Sequence, residues 1–102
     1  MENKLPLALK VNDLDNVATV FSNEAVKGCT VEVRDKKGNS STMQIHGDIP
    51  YGHKLALCDV HVGEDIIKYG ESLGVATHEI AAGDYVHVHN LDSKRGRGDW
   101  ED

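Results

Sequence analysis

The 102-residue sequence has only two cysteines, no long apolar run and no excess of basic residues, and each shortage excludes a class of protein. Cys29 and Cys58 lack the dense spacing and secretory leader that accompany a disulfide framework. Both are expected to be reduced, as core fillers rather than nucleophiles. No long apolar run follows the lysine of Met1-Glu2-Asn3-Lys4-Leu5-Pro6, and nowhere do about eighteen apolar residues follow one another. A soluble, cytoplasmic chain with no membrane role is therefore expected. Lysine and arginine number 11 against 17 aspartates and glutamates, a net charge of −6 with the six histidines neutral. Such a surface repels polyanions, which argues against nucleic acid as a partner and confines any anionic ligand to a locally basic pocket. The apolar share, 39%, supports one small core in one domain rather than a cleft with its own lid. A partner is the natural complement. No Cys-x-x-Cys pair, phosphate loop or EF-hand pattern is present.

Helical periodicity is also scarce: only 71–76 and 23–27 read as short helices, and no longer stretch keeps a 3.6-residue apolar period. What remains reads as strands. Leu7-Ala8-Leu9-Lys10-Val11 and Val17-Ala18-Thr19-Val20 flank the turn-forming Asn12-Asp13-Leu14-Asp15-Asn16. Thr30-Val31-Glu32-Val33-Arg34 and Thr42-Met43-Gln44-Ile45 read as a hairpin with a charged, exposed loop between them. A weak repeat runs acid, aliphatic, two variable residues, glycine, acid, strand. It covers Asp59 to Ile66 and, twenty residues on, Glu79 to Val86, with a looser copy at Glu24 to Val31. Each glycine supplies the backbone freedom for a turn into a new strand. About eight short strands with glycine turns predict an all-β module over residues 1–92, and the charged, aperiodic residues 93–102 read as a flexible tail.

Two segments hold the candidate chemistry. In Tyr85-Val86-His87-Val88-His89 a strand period of two puts Tyr85, His87 and His89 on one face and the valines on the other. Paired imidazoles bind a metal, hydrogen-bond an oxyanion or move protons near neutral pH; a solvent face with ordinary histidines is the commoner source of this pattern. Asn90 adds an amide. In Gly47-Asp48-Ile49-Pro50-Tyr51-Gly52-His53-Lys54 a turn delivers His53 and Lys54 to the start of a strand, a rigid place for a polar site. Lys68-Tyr69-Gly70 repeats the arrangement, suited to a carboxylate or phosphate, although a solvated lysine is more common. Gly70-Glu71-Ser72-Leu73-Gly74 fits a nucleophile elbow in letters only, because this chain is too short for the α/β sheet that such an elbow needs. Arg97-Gly98-Asp99 is a chance match to an adhesion tripeptide.

Taken in order, Ile49-Pro50-Tyr51-Gly52-His53-Lys54, Gly63-Glu64-Asp65-Ile66-Ile67-Lys68-Tyr69-Gly70, Gly74-Val75-Ala76-Thr77 and Gly83 through Asn90 resemble the N-terminal SAF domain of the altronate dehydratase family. That family includes altronate and galactarate dehydratases and the small subunit of sulfolactate sulfo-lyase. The resemblance runs from about Asp15 to Asp99, and it implies a β-clip fold. The Arg95-Gly96-Arg97-Gly98-Asp99 ending looks like the family's separate small subunits rather than its fused domains.

The implied activity is a hydro-lyase reaction: a sugar acid loses the proton beside its carboxylate and then its β-hydroxyl, giving a 2-keto-3-deoxy acid. This needs a base, an acid and positive charge at the carboxylate; a divalent metal, iron or manganese, supplies that charge in the family. The resemblance implies a large catalytic subunit as partner, with the isolated chain inactive. In this reading His53, His87 and His89 are catalytic, Lys54, Lys68 and Asn90 bind substrate, and His87 and His89 are the metal candidates. Release of bisulfite from a sulfonated hydroxy acid, and a non-catalytic binding or assembly module, are the alternatives; a homo-oligomer is compatible with each.

Overall fold

In a computed structural model of the chain, residues 5–87 and 89–93 are described, Ser93 by its backbone alone. The expected tail, Ser93 apart, and Val88 lie outside the described residues. Nine strands and no helix occur among the described residues: β1 (Leu7–Lys10), β2 (Val17–Val20), β3 (Thr30–Asp35), β4 (Ser40–Gln44), β5 (Lys54–Ala56), β6 (Asp65–Lys68), β7 (Glu71–Ala76), β8 (Tyr85–Val86) and β9 (Leu91–Ser93). The all-β expectation holds. Six strands form one sheet in the order β4-β3-β1-β2-β5-β8, and three form a second in the order β6-β7-β9. Among the described residues only β1 and β3 pair in parallel.

Both short helix expectations fail. Residues 71–76 are β7, because Tyr69 (φ 57°) and Gly70 (φ 76°) fold the chain straight back onto β6. With both central residues left-handed, this two-residue turn matches the twist of a hairpin, and the ladder outweighs local helix preference. Residues 23–27 form irregular backbone, with the Ser22 hydroxyl accepting from Glu24 N–H at 2.9 Å. The predicted β3–β4 hairpin and its exposed loop are present. Cys29 packs against the core as expected, whereas Cys58 is exposed, in the turn that precedes Asp59.

The acid–glycine repeat is a structural one. Val60 and Ile80 exchange backbone hydrogen bonds of 2.8 and 2.9 Å as an isolated antiparallel bridge. Across it Asp59 Oδ1 accepts from Ala82 N–H at 3.0 Å while Glu79 Oε2 accepts from Val62 N–H at 3.2 Å, so each copy's acid holds the other copy's turn. Gly63 N–H donates to Ala76 O and Gly83 N–H to Ala56 O, both at 2.9 Å. The looser copy's turn is held by an acid outside the repeat: Gly28 N–H donates to Ile45 O at 2.9 Å and Lys27 N–H to Asp48 Oδ1 at 2.8 Å. The three glycines have φ of 86°, 87° and 96°, a conformation that costs a residue with a Cβ about 1–2 kcal/mol.

Two apolar clusters result. Val20, Val31, Ile45, Ile49 and Leu55 anchor the first; Val17, Val60, Ile66, Ile80 and Val86 anchor the second. Each of these aliphatic side chains is almost wholly buried, contributing roughly 1.5–3 kcal/mol apiece. The β5–β8 pair runs where the clusters meet, with Leu55 in the first and Ala56 and Val86 in the second. That fixes both faces of the strand edge on which the candidate residues lie.

Candidate functional site

His53 is delivered by a tight turn. His53 N–H donates to Pro50 O at 3.0 Å, Gly52 (φ 84°) sits at the corner, and Val20 N–H donates to His53 O at 2.8 Å. A left-handed third residue after proline and tyrosine is the type II geometry that glycine favours. Phe21 meets Tyr51 edge to face, 5.9 Å between centroids, on the outside of this turn.

Tyr85 stands at the centre of the histidines. Its hydroxyl lies 2.7 Å from His53 Nδ1. Its ring stacks on His87 at 10° with centroids 5.6 Å apart, and the His89 ring lies 5.4 Å away. His53 and His87 are 4.8 Å apart. The three histidines thus converge, but not by strand alternation. Strand β8 ends at Val86, and His87 to Asn90 form a turn closed by Asn90 N–H to His87 O at 3.0 Å, which swings the exposed His89 back to Tyr85. Burial foremost, then the charges of His53, Lys54 and His89, hold the His87 pKa below that of an ordinary histidine.

Lys54 and Lys68 form the second group. The β5–β8 register opposes Lys54 to Val86 and Leu55 to Tyr85, so Lys54 and Tyr85 leave the pair on opposite faces, at one edge. Lys54 is half-buried; desolvation, reinforced by the nearby Lys68 charge, lowers its pKa. Lys68 Nζ lies 4.0 Å from the Tyr69 ring centroid. Asp15 and Asn16 clamp the Lys68 hairpin: Gly70 N–H donates to Asp15 Oδ1 at 2.8 Å and Ile67 N–H to Asn16 Oδ1 at 2.7 Å. Among the described residues neither lysine has a carboxylate partner; the four ion pairs lie elsewhere.

Asn90 differs from the sequence expectation. It is 7% exposed, and its amide holds backbone: Oδ1 accepts from His87 N–H at 3.0 Å and Nδ2 donates to Tyr85 O at 2.9 Å. It therefore positions the neighbours assigned to chemistry. Tyr85 is the residue the sequence reading left without a role. Its period-two spacing to His87 was a usable signal, but its bond to His53 arises from the β5–β8 pairing. A shallow hollow of about 410 Å³ also borders Tyr85 and His89, lined further by His46, His78 and Asp84. His46 Nδ1 and Asp84 Oδ1 are 3.0 Å apart there, whereas His53, Lys54 and His87 do not line it.

The iron or manganese implied by the family resemblance does not fit these residues by themselves. Among the described residues no three His, Cys, Asp or Glu side chains converge on a point that would hold an ion. His53 Nδ1 is occupied by the tyrosine, and His87 stacks flat on that ring. The chemistry of the chain's own rim is that of imidazole and ammonium groups. No helix among the described residues is long and apolar enough to cross a membrane.

The fold and rim together define a small all-β domain that presents at one strand edge histidines and two lysines with no carboxylate partner among the described residues. Residues 6–94 match the altronate/galactarate dehydratase SAF domain. The chain belongs to that family. It is 38% identical to the altronate dehydratase of Escherichia coli (strain K12), over 92% of this chain but 19% of that protein. It is 34% identical to the (2R)-sulfolactate sulfo-lyase subunit alpha of Chromohalobacter salexigens, over 83% of this chain and 93% of that protein. Galactarate dehydratase (L-threo-forming) of Escherichia coli (strain K12) is 36% identical over 76% of this chain and 14% of that protein. The chain thus spans about a fifth or less of the two dehydratases and nearly all of the sulfo-lyase subunit. The name "subunit alpha" makes that relative part of a multi-subunit enzyme.

Proposed function

We propose that this chain supplies one rim of the active site of a sugar-acid hydro-lyase, the rest being built by a larger catalytic polypeptide. Lys54 and Lys68 bind the substrate carboxylate, and His53 and His87 face the reacting carbons. The observation that carries this is the half-buried Lys54 ammonium beside Lys68 with no carboxylate for either among the described residues. Desolvated like charges raise each other's energy, and an incoming anion relieves that cost. His87, kept neutral by burial and neighbouring charge, is a proton acceptor at neutral pH. A base that removes the proton beside the carboxylate, with ammonium groups to stabilise the resulting enediolate, meets two of the three needs of β-hydroxyl loss, and the proton that lets the hydroxyl leave as water is then the partner's to supply. The iron or manganese of the family's chemistry would then depend on donors of the partner.

A second reading, loss of bisulfite from a sulfonated hydroxy acid, is favoured by one observation: the chain spans 93% of a sulfo-lyase subunit alpha. The test is to co-express the chain with its large partner and supply aldonic acids, aldaric acids and sulfolactate, monitoring 2-keto-3-deoxy acid and bisulfite separately. Lys54→Met and Lys68→Met are expected to raise KM about 10–100-fold each, as loss of a charged hydrogen bond implies. His87→Ala is expected to lower kcat. Wild-type turnover and KM in Lys54→Met and His87→Ala would refute the rim's role and leave a pure assembly module.

A further inference from the structure

We propose that Tyr85 is the positioning residue of His53: its hydroxyl donates to Nδ1 and holds the neutral imidazole in the tautomer that carries its proton on Nε2. The inference rests on the reading of the rim as part of a substrate site.

The 2.7 Å separation is that of a strong hydrogen bond. Two directions satisfy it. A phenol is a better proton donor than a neutral imidazole N–H, and its oxygen is a weaker acceptor than an imidazole nitrogen lone pair, so O–H to Nδ1 is preferred. Tyr85 itself is held from several sides. Its backbone pairs with Leu55, its carbonyl accepts from Asn90 Nδ2 at 2.9 Å, and its ring packs against the first core and lies flat on His87. A rigid donor on one ring nitrogen fixes both the tautomer and the ring plane, just as an outer partner does for a functional histidine elsewhere.

The consequence divides labour between two neighbouring imidazoles. With Nδ1 occupied, His53 offers Nε2–H as a hydrogen-bond donor to a substrate oxygen, and it is not the base. That role falls to His87, which stacks on the same phenol ring and makes no ring-nitrogen hydrogen bond among the described residues. The three histidines expected to be catalytic, with His87 and His89 as metal candidates, thereby become one donor, one base and one exposed neighbour, with Tyr85 acting through the first.

Long-range proton–nitrogen correlation spectra of the full 15N-labelled chain, taken above the histidine titration range, read the tautomer without any partner or substrate. The expected result is a His53 ring protonated at Nε2, with Nδ1 showing the upfield shift of a hydrogen-bonded acceptor that Tyr85→Phe abolishes. Protonation at Nδ1, or no change in Tyr85→Phe, would overturn the proposal. In the assembled enzyme Tyr85→Phe keeps the ring stack and should lower kcat about tenfold with KM little changed. His53→Gln places an amide N–H near the Nε2 position and should retain part of the activity. Adding Tyr85→Phe to His53→Gln should then cost nothing more. A further tenfold loss in the double variant would show that Tyr85 touches substrate itself and overturn its assignment as a positioning residue. An enzyme inert towards every acid tested would defeat the lyase reading, whereas the spectra would still decide the tautomer.

Discussion

Asn90→Ala separates a residue that builds the site from one that touches ligand. Asn90 is 7% exposed and its two amide atoms bond the backbone on either side of Val86, to Tyr85 O at 2.9 Å and from His87 N at 3.0 Å. Alanine removes both bonds at once and leaves a half-buried N–H and a carbonyl to find other partners. Each such loss is worth about 1–1.5 kcal/mol, so the variant should be less stable by roughly 2–3 kcal/mol. For a domain of this size, about 4–8 °C per kcal/mol converts that to a fall of roughly 10–20 °C in thermal midpoint. A domain with a typical 5–15 kcal/mol in hand still folds at 25 °C. Asn90→Asp is the sharper variant. It keeps an acceptor for His87 N–H but turns a carboxylate oxygen towards the Tyr85 carbonyl, and it buries a charge. It should be at least as destabilised as the alanine variant. Urea and thermal unfolding of the isolated chain measure both. A midpoint for Asn90→Ala within about 2 °C of wild type, together with weakened substrate binding in the assembled enzyme, would refute the clamp and restore Asn90 to the substrate.

The repeat gives a paired test. A Cβ on Gly83 would lie 2.5 Å from Gln44 O, whereas at Gly63 nothing lies within 4 Å, and both have positive φ, +96° and +87°. Gly63→Ala should therefore cost only the left-handed strain, about 1–2 kcal/mol. Gly83→Ala should cost clearly more, about 3–4 kcal/mol with the backbone clash added, and equal losses in urea unfolding would refute the close approach of β4 to that turn. Histidine titrations should split in opposite directions. The Glu79 carboxylate, 2.7 Å from His61 Nδ1, raises the His61 pKa, while burial first and then its cationic neighbours lower that of His87. The His61–Glu79 pair hence supports folding most between about pH 4.5 and 6.5, less as pH rises through the raised His61 value and less as it falls through the lowered Glu79 value. His87 instead costs stability as pH falls below 6.5 towards its lowered value. Proton-detected titration should find His61 above and His87 below an ordinary histidine; the reverse order would refute both environments, and Glu79→Gln should lower His61 alone.

Local pattern carried the fold further than the site. The alternation in Thr30-Val31-Glu32-Val33-Arg34, the turn residues 12–16 and the glycines of the repeat each act within a few residues, so β1 to β4 and the turns at Gly63 and Gly83 could be read directly. The reciprocal capping by Asp59 and Glu79 could not, since it depends on two turns meeting through the Val60–Ile80 bridge. Residues 71–76 misled because Glu71-Ser72-Leu73 has acceptable helix formers, and only the hairpin to β6 decides otherwise. At the site, the histidines were legible as residue types near a turn. Their grouping was not, because His53 reaches Tyr85 through a pairing thirty-two residues apart in sequence, and His89 arrives by a turn rather than a strand.

The net charge of −6 stands against the absence, among the described residues, of a carboxylate partner for Lys54 and Lys68, since carboxylates outnumber lysine and arginine by 17 to 11. The turns resolve it. Asp15, Asp35 and Asp48 each accept from backbone N–H groups, and so do Asp59, Glu64, Glu79 and Asp84. These acids are tied to the glycine and hairpin turns that a chain of short strands requires, and a carboxylate held by peptide donors is not free to swing to an ammonium group. The same economy of acids that closes the turns leaves Lys54 and Lys68 available to an anion. It also shapes the approach of that anion, which is repelled by the surface as a whole and attracted only within about a Debye length of the rim. On the proposed reading of the rim, a monocarboxylate whose uncharged hydroxyls lie over the histidines should bind more tightly than an acid with a second negative group directed back across the acidic turns, and equal or tighter binding of the doubly charged acid would refute this account of the surface charge.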